Sequence, residues 1–211
     1  MKQIQLLRPF NYILIILLIG LTSSKSFSET ARQCKSVRVG AQEWMAENLK
    51  VSTYQNGENI PELKNNKEWL TAYRNESPGW CYYNNDPKNG KKYGKLYNWY
   101  AVIDSRGLCP TNWHIPTDVE WSELITTFGG TGPSYTKLQT SNGFSALPAG
   151  ARDFETGIFH ALNNITFWWS ASKKGSKNAW YHAMHFGYKQ VARDYGGMNA
   201  GHSVRCIKDA K

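Results

Sequence analysis

The chain has 211 residues, 14% of them aromatic, with 25 Lys and Arg against 16 Asp and Glu and a formal net charge of +9. That surplus is mild and comes with no nucleic-acid motif, which argues against a nucleic-acid partner. Four cysteines and no C-x-x-C spacing argue against a zinc knuckle or a thioredoxin-type redox site.

Residues 1–28 read as a targeting segment rather than as part of the fold. Lys2 and Arg8 form a basic start, residues 13–21 are an apolar run of nine, and Ser26-Phe27-Ser28 is a small-x-small cleavage site. The run is too short to span a bilayer, which takes about 20 residues. An uncleaved anchor is the alternative. A lipoprotein would need a Cys directly after the run, where Thr22, Ser23 and Ser24 stand, and Cys34 is too far downstream. The expectation is an exported protein, secreted or held at the cell surface or in the periplasm, with one domain over 29–211. Loss of Lys2, Arg8 and Lys25 lowers the formal charge from +9 to +6. A domain of this size buries about 70% of its extended-chain surface.

Residues 37–39 and 43–45 read as two short strands around Gly40. Asn65 or Asn66 caps a short helix over 67–73, with Glu68 in capping-box spacing, and Pro78-Gly79 breaks it. Residues 80–83 are β-prone, 84–90 form a polar turn cluster, and 96–103 are an apolar-aromatic run of ambiguous type. Thr117 and Glu120 have the spacing of a capping box. Trp121, Leu124, Ile125 and Phe128 then recur on one helical face, and Gly129-Gly130 stops the helix before a loop at Gly132-Pro133. Residues 144–147, 157–160, 167–170, 180–186, 191–195 and 203–207 read as strands separated by polar turns. Helices early and strands late argue an α+β domain with an antiparallel sheet.

The residues that carry chemistry are weighed against structural roles. His182 and His185 lie three apart on a strand and so point to opposite faces, which rules them out as a shared metal pair. Asn84, Asn85, Asp86 and Asn89 lack the acidic pattern of an EF-hand and fit turn chemistry. Glu120, Glu123, Asp153 and Glu155 are carboxylates that nothing pairs for glycoside hydrolysis. No metal or cofactor is expected. Adjacent aromatics such as Trp168-Trp169 and Trp180-Tyr181 place one ring inward and one outward, leaving an aromatic patch at the surface. An even cysteine count in an exported chain points to disulfides; Cys34, Cys81, Cys109 and Cys206 allow three pairings, and the residues alone do not choose.

Seven ordered motifs carry a family likeness: Val39-Gly-Ala-Gln-Glu-Trp-Met-Ala-Glu-Asn-Leu49, Trp80-Cys-Tyr-Tyr83, Gly94-Lys-Leu-Tyr-Asn-Trp-Tyr-Ala101, Cys109-Pro-x-x-Trp113-His-x-Pro116-Thr, Gly143-Phe-Ser-Ala-Leu-Pro-Ala-Gly-x-Arg152, Trp169-Ser-Ala and Ser203-Val-Arg-Cys-Ile207. The chain closely resembles the Fibrobacter succinogenes major paralogous domain family of exported bacterial proteins. The resemblance implies a C-type-lectin-like fold, with a small curled antiparallel sheet and two flanking helices. It also implies a Cys109–Cys206 disulfide, closing a loop of about 97 residues for roughly 4–5 kcal/mol in the chain-entropy model, which leaves Cys34 to Cys81. The calcium motifs of sugar-binding C-type lectins do not occur here.

The function expected on this basis is a non-enzymatic module that binds a glycan or another surface protein. Exposed contacts are expected at Arg152, Tyr188 and Arg193 and in the stretches 153–164 and 173–178, with a buried or turn-stabilising role as the competing reading of Arg152. One alternative is a structural component of a surface assembly. Another is a remote relative of formylglycine-generating enzymes, which predicts a partly exposed free thiol in a cleft; the binding module predicts four oxidised cysteines.

Overall fold

A computed structural model describes residues 34–140 and 143–210; the expected leader, residues 1–28, lies outside the described residues. Gly40, at φ 59°, turns the chain between β1 (Ser36–Val39) and β2 (Gln42–Met45), as the sequence anticipates. α1 (Asn66–Arg74) begins where Asn65 Oδ1 accepts the Glu68 N–H at 2.9 Å, and Glu68 reaches back to the Lys64 N–H at 2.7 Å. β3 (Trp80–Cys81) pairs with β4 (Leu96–Tyr97). The polar cluster between them is more ordered than a turn. Asp86 accepts the Lys88 N–H and caps α2 (Pro87–Tyr93), with Pro87 at the helix start where its missing N–H costs nothing. The ambiguous run at 96–103 divides at Asn98, whose side chain caps α3 (Trp99–Val102).

After β5 (Trp113–His114) comes α4 (Asp118–Thr127) with the anticipated capping box: Thr117 Oγ1 accepts the Glu120 N–H at 3.2 Å, and Glu120 Oε2 accepts the Thr117 N–H at 2.7 Å. The segment expected as a loop at Gly132-Pro133 is instead α5 (Thr131–Leu138), in which Pro133 falls in the first turn and interrupts no helical bond. Five α-helices and a short 3-10 turn at Tyr83–Asn85 among the described residues therefore replace the two helices expected. Residues 144–147 form no strand: Ser145 adopts φ 51°, which breaks the extended backbone, and Phe144 plugs the core instead.

β6 (Ala149–Arg152), β7 (Phe159–Leu162), β8 (Ile165–Lys174), β9 (Asn178–His185) and β10 (Gln190–Gly197) form a curled half-barrel sheet in the order β10-β9-β8-β6-β7. Its pairs are antiparallel except β6 with β8, and the β8–β9 register shifts between Trp169 and Lys173, a bulge that bends the strand. Of the strand expected at 203–207, only β11 (Ile207–Lys208) joins a ladder, between β2 and β5 in the sheet order β1-β2-β11-β5. Upstream of it the chain makes single bridges, Gly201 to Arg152, His202 to Tyr97 and Ser203 to Trp168. The core under α4 is aromatic, with Trp44, Trp121, Trp168 and Phe144 all buried and the Trp44 and Trp121 rings 4.6 Å apart.

Cys109 and Cys206 are joined, tying the chain before β5 to the residue before β11. The expected Cys34–Cys81 link is not formed. Cys81 is a buried thiol on β3, packed with Leu63, Trp69 and Leu96, whereas Cys34 packs against a different cluster, around Met45 and Trp99.

Candidate functional site

The β9–β10 ladder sets side chains opposite one another at Trp180 and Tyr195 and at His182 and Arg193. Cross-strand partners share a face of the sheet, so these four residues point the same way. That face meets the start of α4, where Asp118 is the first helical residue. Arg193 grips Asp118 bidentately, Nε to Oδ1 at 2.8 Å and Nη2 to Oδ2 at 2.7 Å. Burial alone would raise the Asp118 pKa; the bonds from Arg193 and His182 outweigh it and hold the carboxyl below its usual range.

His182 Nε2 lies 3.1 Å from Asp118 Oδ1, and its ring stacks on Trp121 at 5.4 Å. Burial pushes the imidazole down to about 4, so at neutral pH it is uncharged and donates from Nε2 to the carboxylate. Its Nδ1 is buried with no hydrogen-bond partner. The histidine is thus an internal prop for Asp118, while His185, three residues on, is partly exposed.

Outside this prop the surface is aromatic and cationic. The Arg193 guanidinium lies 3.5 Å from the Trp180 ring centre, and Tyr195 meets that ring edge-on at 5.4 Å. The Lys174 ammonium sits 5.0 Å from Trp180 and 5.7 Å from Tyr195. Tyr195 is 48% exposed, so its ring is open to a partner. The backbone beneath is a fully paired hairpin, which fixes these side chains more tightly than a loop would.

The expected contact residues separate. Arg193 and the 173–178 turn, through Lys174, belong to this surface. Tyr188 is exposed but lies in the turn at the other end of the β9–β10 hairpin, beside His185 at 5.9 Å. Arg152 is not an exposed contact. It is fully buried between Trp69 and Phe159, and donates from Nε to the Gly157 carbonyl, from Nη1 to the Leu63 carbonyl and from Nη2 to Asn66 Oδ1. These bonds make it a strap between α1 and the 153–157 turn. That turn is held by the Asp153 carboxylate, which accepts the N–H groups of Glu155 and Thr156.

The other chemical candidates are also engaged. Glu120 serves the capping box and His114, and Glu123 accepts from Gln42. Cys81 is buried and desolvation pushes its thiol up to about 12, so it is neither oxidised nor a nucleophile at neutral pH. Neither the four oxidised cysteines nor the partly exposed thiol of the two sequence-based readings is met at this position. Residue-by-residue reading missed Asp118, Lys174 and Tyr195 as parts of one surface. Pairing 180–186 with 190–195 as a hairpin would have set Trp180 opposite Tyr195, but nothing in the local pattern brings Asp118 to them.

No curated protein and no solved structure matches the chain. A family model, the Fibrobacter succinogenes major domain, matches residues 37–208. That span takes in every strand and helix described above except the first residue of β1, so the chain belongs to the Fibrobacter succinogenes major domain family.

Proposed function

We propose that this chain is an exported, non-enzymatic module of C-type-lectin-like architecture that binds a glycan through the β9–β10 face. The observation that carries the reading is the partly exposed Trp180–Tyr195 pair flanked by Arg193 and Lys174 on a rigid hairpin. Flat rings stack on sugar faces, and guanidinium and ammonium groups donate to hydroxyls. The curled sheet, the capped α4 and the disulfide between the helix side and the last strand support the lectin-like assignment. Engaged carboxylates and a neutral, buried thiol support binding without chemistry.

The test is a glycan array followed by titration of tryptophan fluorescence with any hit. Tyr195→Ala, at an exposed position, is expected to weaken binding about tenfold or more without changing the thermal midpoint. Hits that bind the Tyr195→Ala and Lys174→Ala variants as tightly as the parent would remove the face from consideration. No hits, together with a defined oligomer in light scattering, would favour a structural role in a surface assembly.

A further inference from the structure

A cleft of about 740 Å³ opens among residues 46–50, 91–93 and 143–147, away from the residues of the β9–β10 face. Its charge is one-sided. Lys35, Lys50, Lys91, Lys92 and Arg205 line it, and Glu47 is the one carboxylate in the lining. Glu47 is already bound to Lys50 at 2.8 Å. Lys35, Lys91 and Lys92 are exposed, and no described acid forms an ion pair with Lys91 or Lys92.

Arg205 is only 1% exposed. Its Nη2 donates to Asn48 Oδ1 at 2.8 Å and its Nη1 to the Phe144 carbonyl, with the Phe144 ring 4.0 Å away. Its Nε is buried with no acceptor, and no described carboxylate pairs with it. A buried cation with no carboxylate in hydrogen-bonding contact is costly, and arginines this deep are ordinarily paired. Burial pulls the guanidinium down to about 9, and the attraction of Glu47, which Lys50 already holds, does not offset it. Arg152 provides the internal contrast. It is equally buried and lacks an acid, but its Nε, Nη1 and Nη2 all donate to protein oxygens, and it strengthens the fold with no need of a ligand.

We propose that this cleft binds an acidic saccharide, with a carboxylate or sulfate seated toward Arg205 and the lysines of the rim around it. A bare ion would leave most of the volume to water, whereas cavities of this size ordinarily take ligands with a body. The rim also carries the Gln139 amide, which donates to the Tyr135 hydroxyl at 3.0 Å, and the Ser36 hydroxyl, which donates to Glu43 at 2.8 Å; the acceptor lone pairs of both can take a ring hydroxyl.

The test is calorimetry on the full chain at low salt with four probes: digalacturonate, a sulfated disaccharide, an uncharged disaccharide and inorganic sulfate. The expected result is binding of at least one acidic disaccharide, no binding of the uncharged one, and sulfate alone at least tenfold weaker. The Lys91→Ala/Lys92→Ala variant, at exposed positions, should weaken the acidic disaccharide tenfold or more, and Lys67→Ala, at an exposed position of α1 outside both surfaces, should leave it unchanged. Equal binding of the uncharged disaccharide, equal binding of bare sulfate, no binding of either acidic probe, or indifference to the lysine change would each overturn the proposal. Loss of binding in Tyr195→Ala with no effect of the lysines would also overturn it, and would return the ligand to the β9–β10 face.

Discussion

Arg193 clamps Asp118 with two nitrogens while its guanidinium plane lies 3.5 Å from the centre of the Trp180 ring. One side chain therefore joins the start of α4 to β9 and β10. It also gives the exposed aromatic pair a fixed positive charge, because Asp118 holds the guanidinium in place.

Removing the carboxylate should release this arrangement. Asp118→Ala deletes the partner of Arg193 and of His182, and leaves a buried imidazole N–H unsatisfied. Because Arg193 is itself 45% exposed, the pair is worth less than a fully buried one. The expected loss is about 1–3 kcal/mol, read as a shift in the urea midpoint. A shift equivalent to less than about 0.5 kcal/mol, the usual surface range, would show that the clamp is ornamental to the fold.

His114 should make stability fall as pH rises. Its Nδ1 lies 2.6 Å from Asp209 and its Nε2 2.9 Å from Glu120. Burial pulls its pKa down, but the two carboxylates outweigh that and leave it above the usual value of about 6.5. A group with a raised folded pKa contributes fully below its unfolded pKa, and that contribution disappears as pH climbs through the folded one. The thermal midpoint of the parent should therefore drop relative to His114→Gln between pH 6 and pH 9. Parallel curves for the two proteins would contradict the assignment.

Opening the disulfide should cost about 2–5 kcal/mol, since it closes a long loop between residues 97 apart in sequence. Denaturation of a Cys109→Ser/Cys206→Ser variant measures this directly. Reductant should lower the stability of the parent and leave that variant unmoved; an equal effect on both would place the sensitivity elsewhere.

Cys81 should resist a thiol reagent in the folded protein. A thiol pushed up to about 12 and buried carries almost no thiolate near neutrality. In a Cys34→Ser background, one equivalent of aromatic disulfide reagent should react promptly only after denaturant is added. Prompt reaction in native buffer would mean that β3 opens to solvent.

What the sequence discloses follows the range of the interaction. The caps at Asn65 and Thr117 depend on a partner three residues away, and both can be read from the string. Arg152 depends on Leu63 and Asn66, more than 80 positions upstream, so its neighbours in sequence suggest a turn while its neighbours in space enclose it. Ser145 sits within an alternating apolar pattern that mimics a strand, and only its positive φ distinguishes the two. The Cys109–Cys206 link came from family likeness rather than local chemistry, and the remaining two cysteines lie in separate clusters that no spacing rule separates.

The placement of β11 has a consequence for how the chain folds. It follows every other described element in the sequence yet occupies an interior position, with β2 on one side and β5 on the other. Until residues 207–208 are in place, those two strands lack the one they share and the cysteine that locks it. The first sheet is therefore joined only by pairings that span most of the domain, which makes it the high-contact-order, slow part of folding.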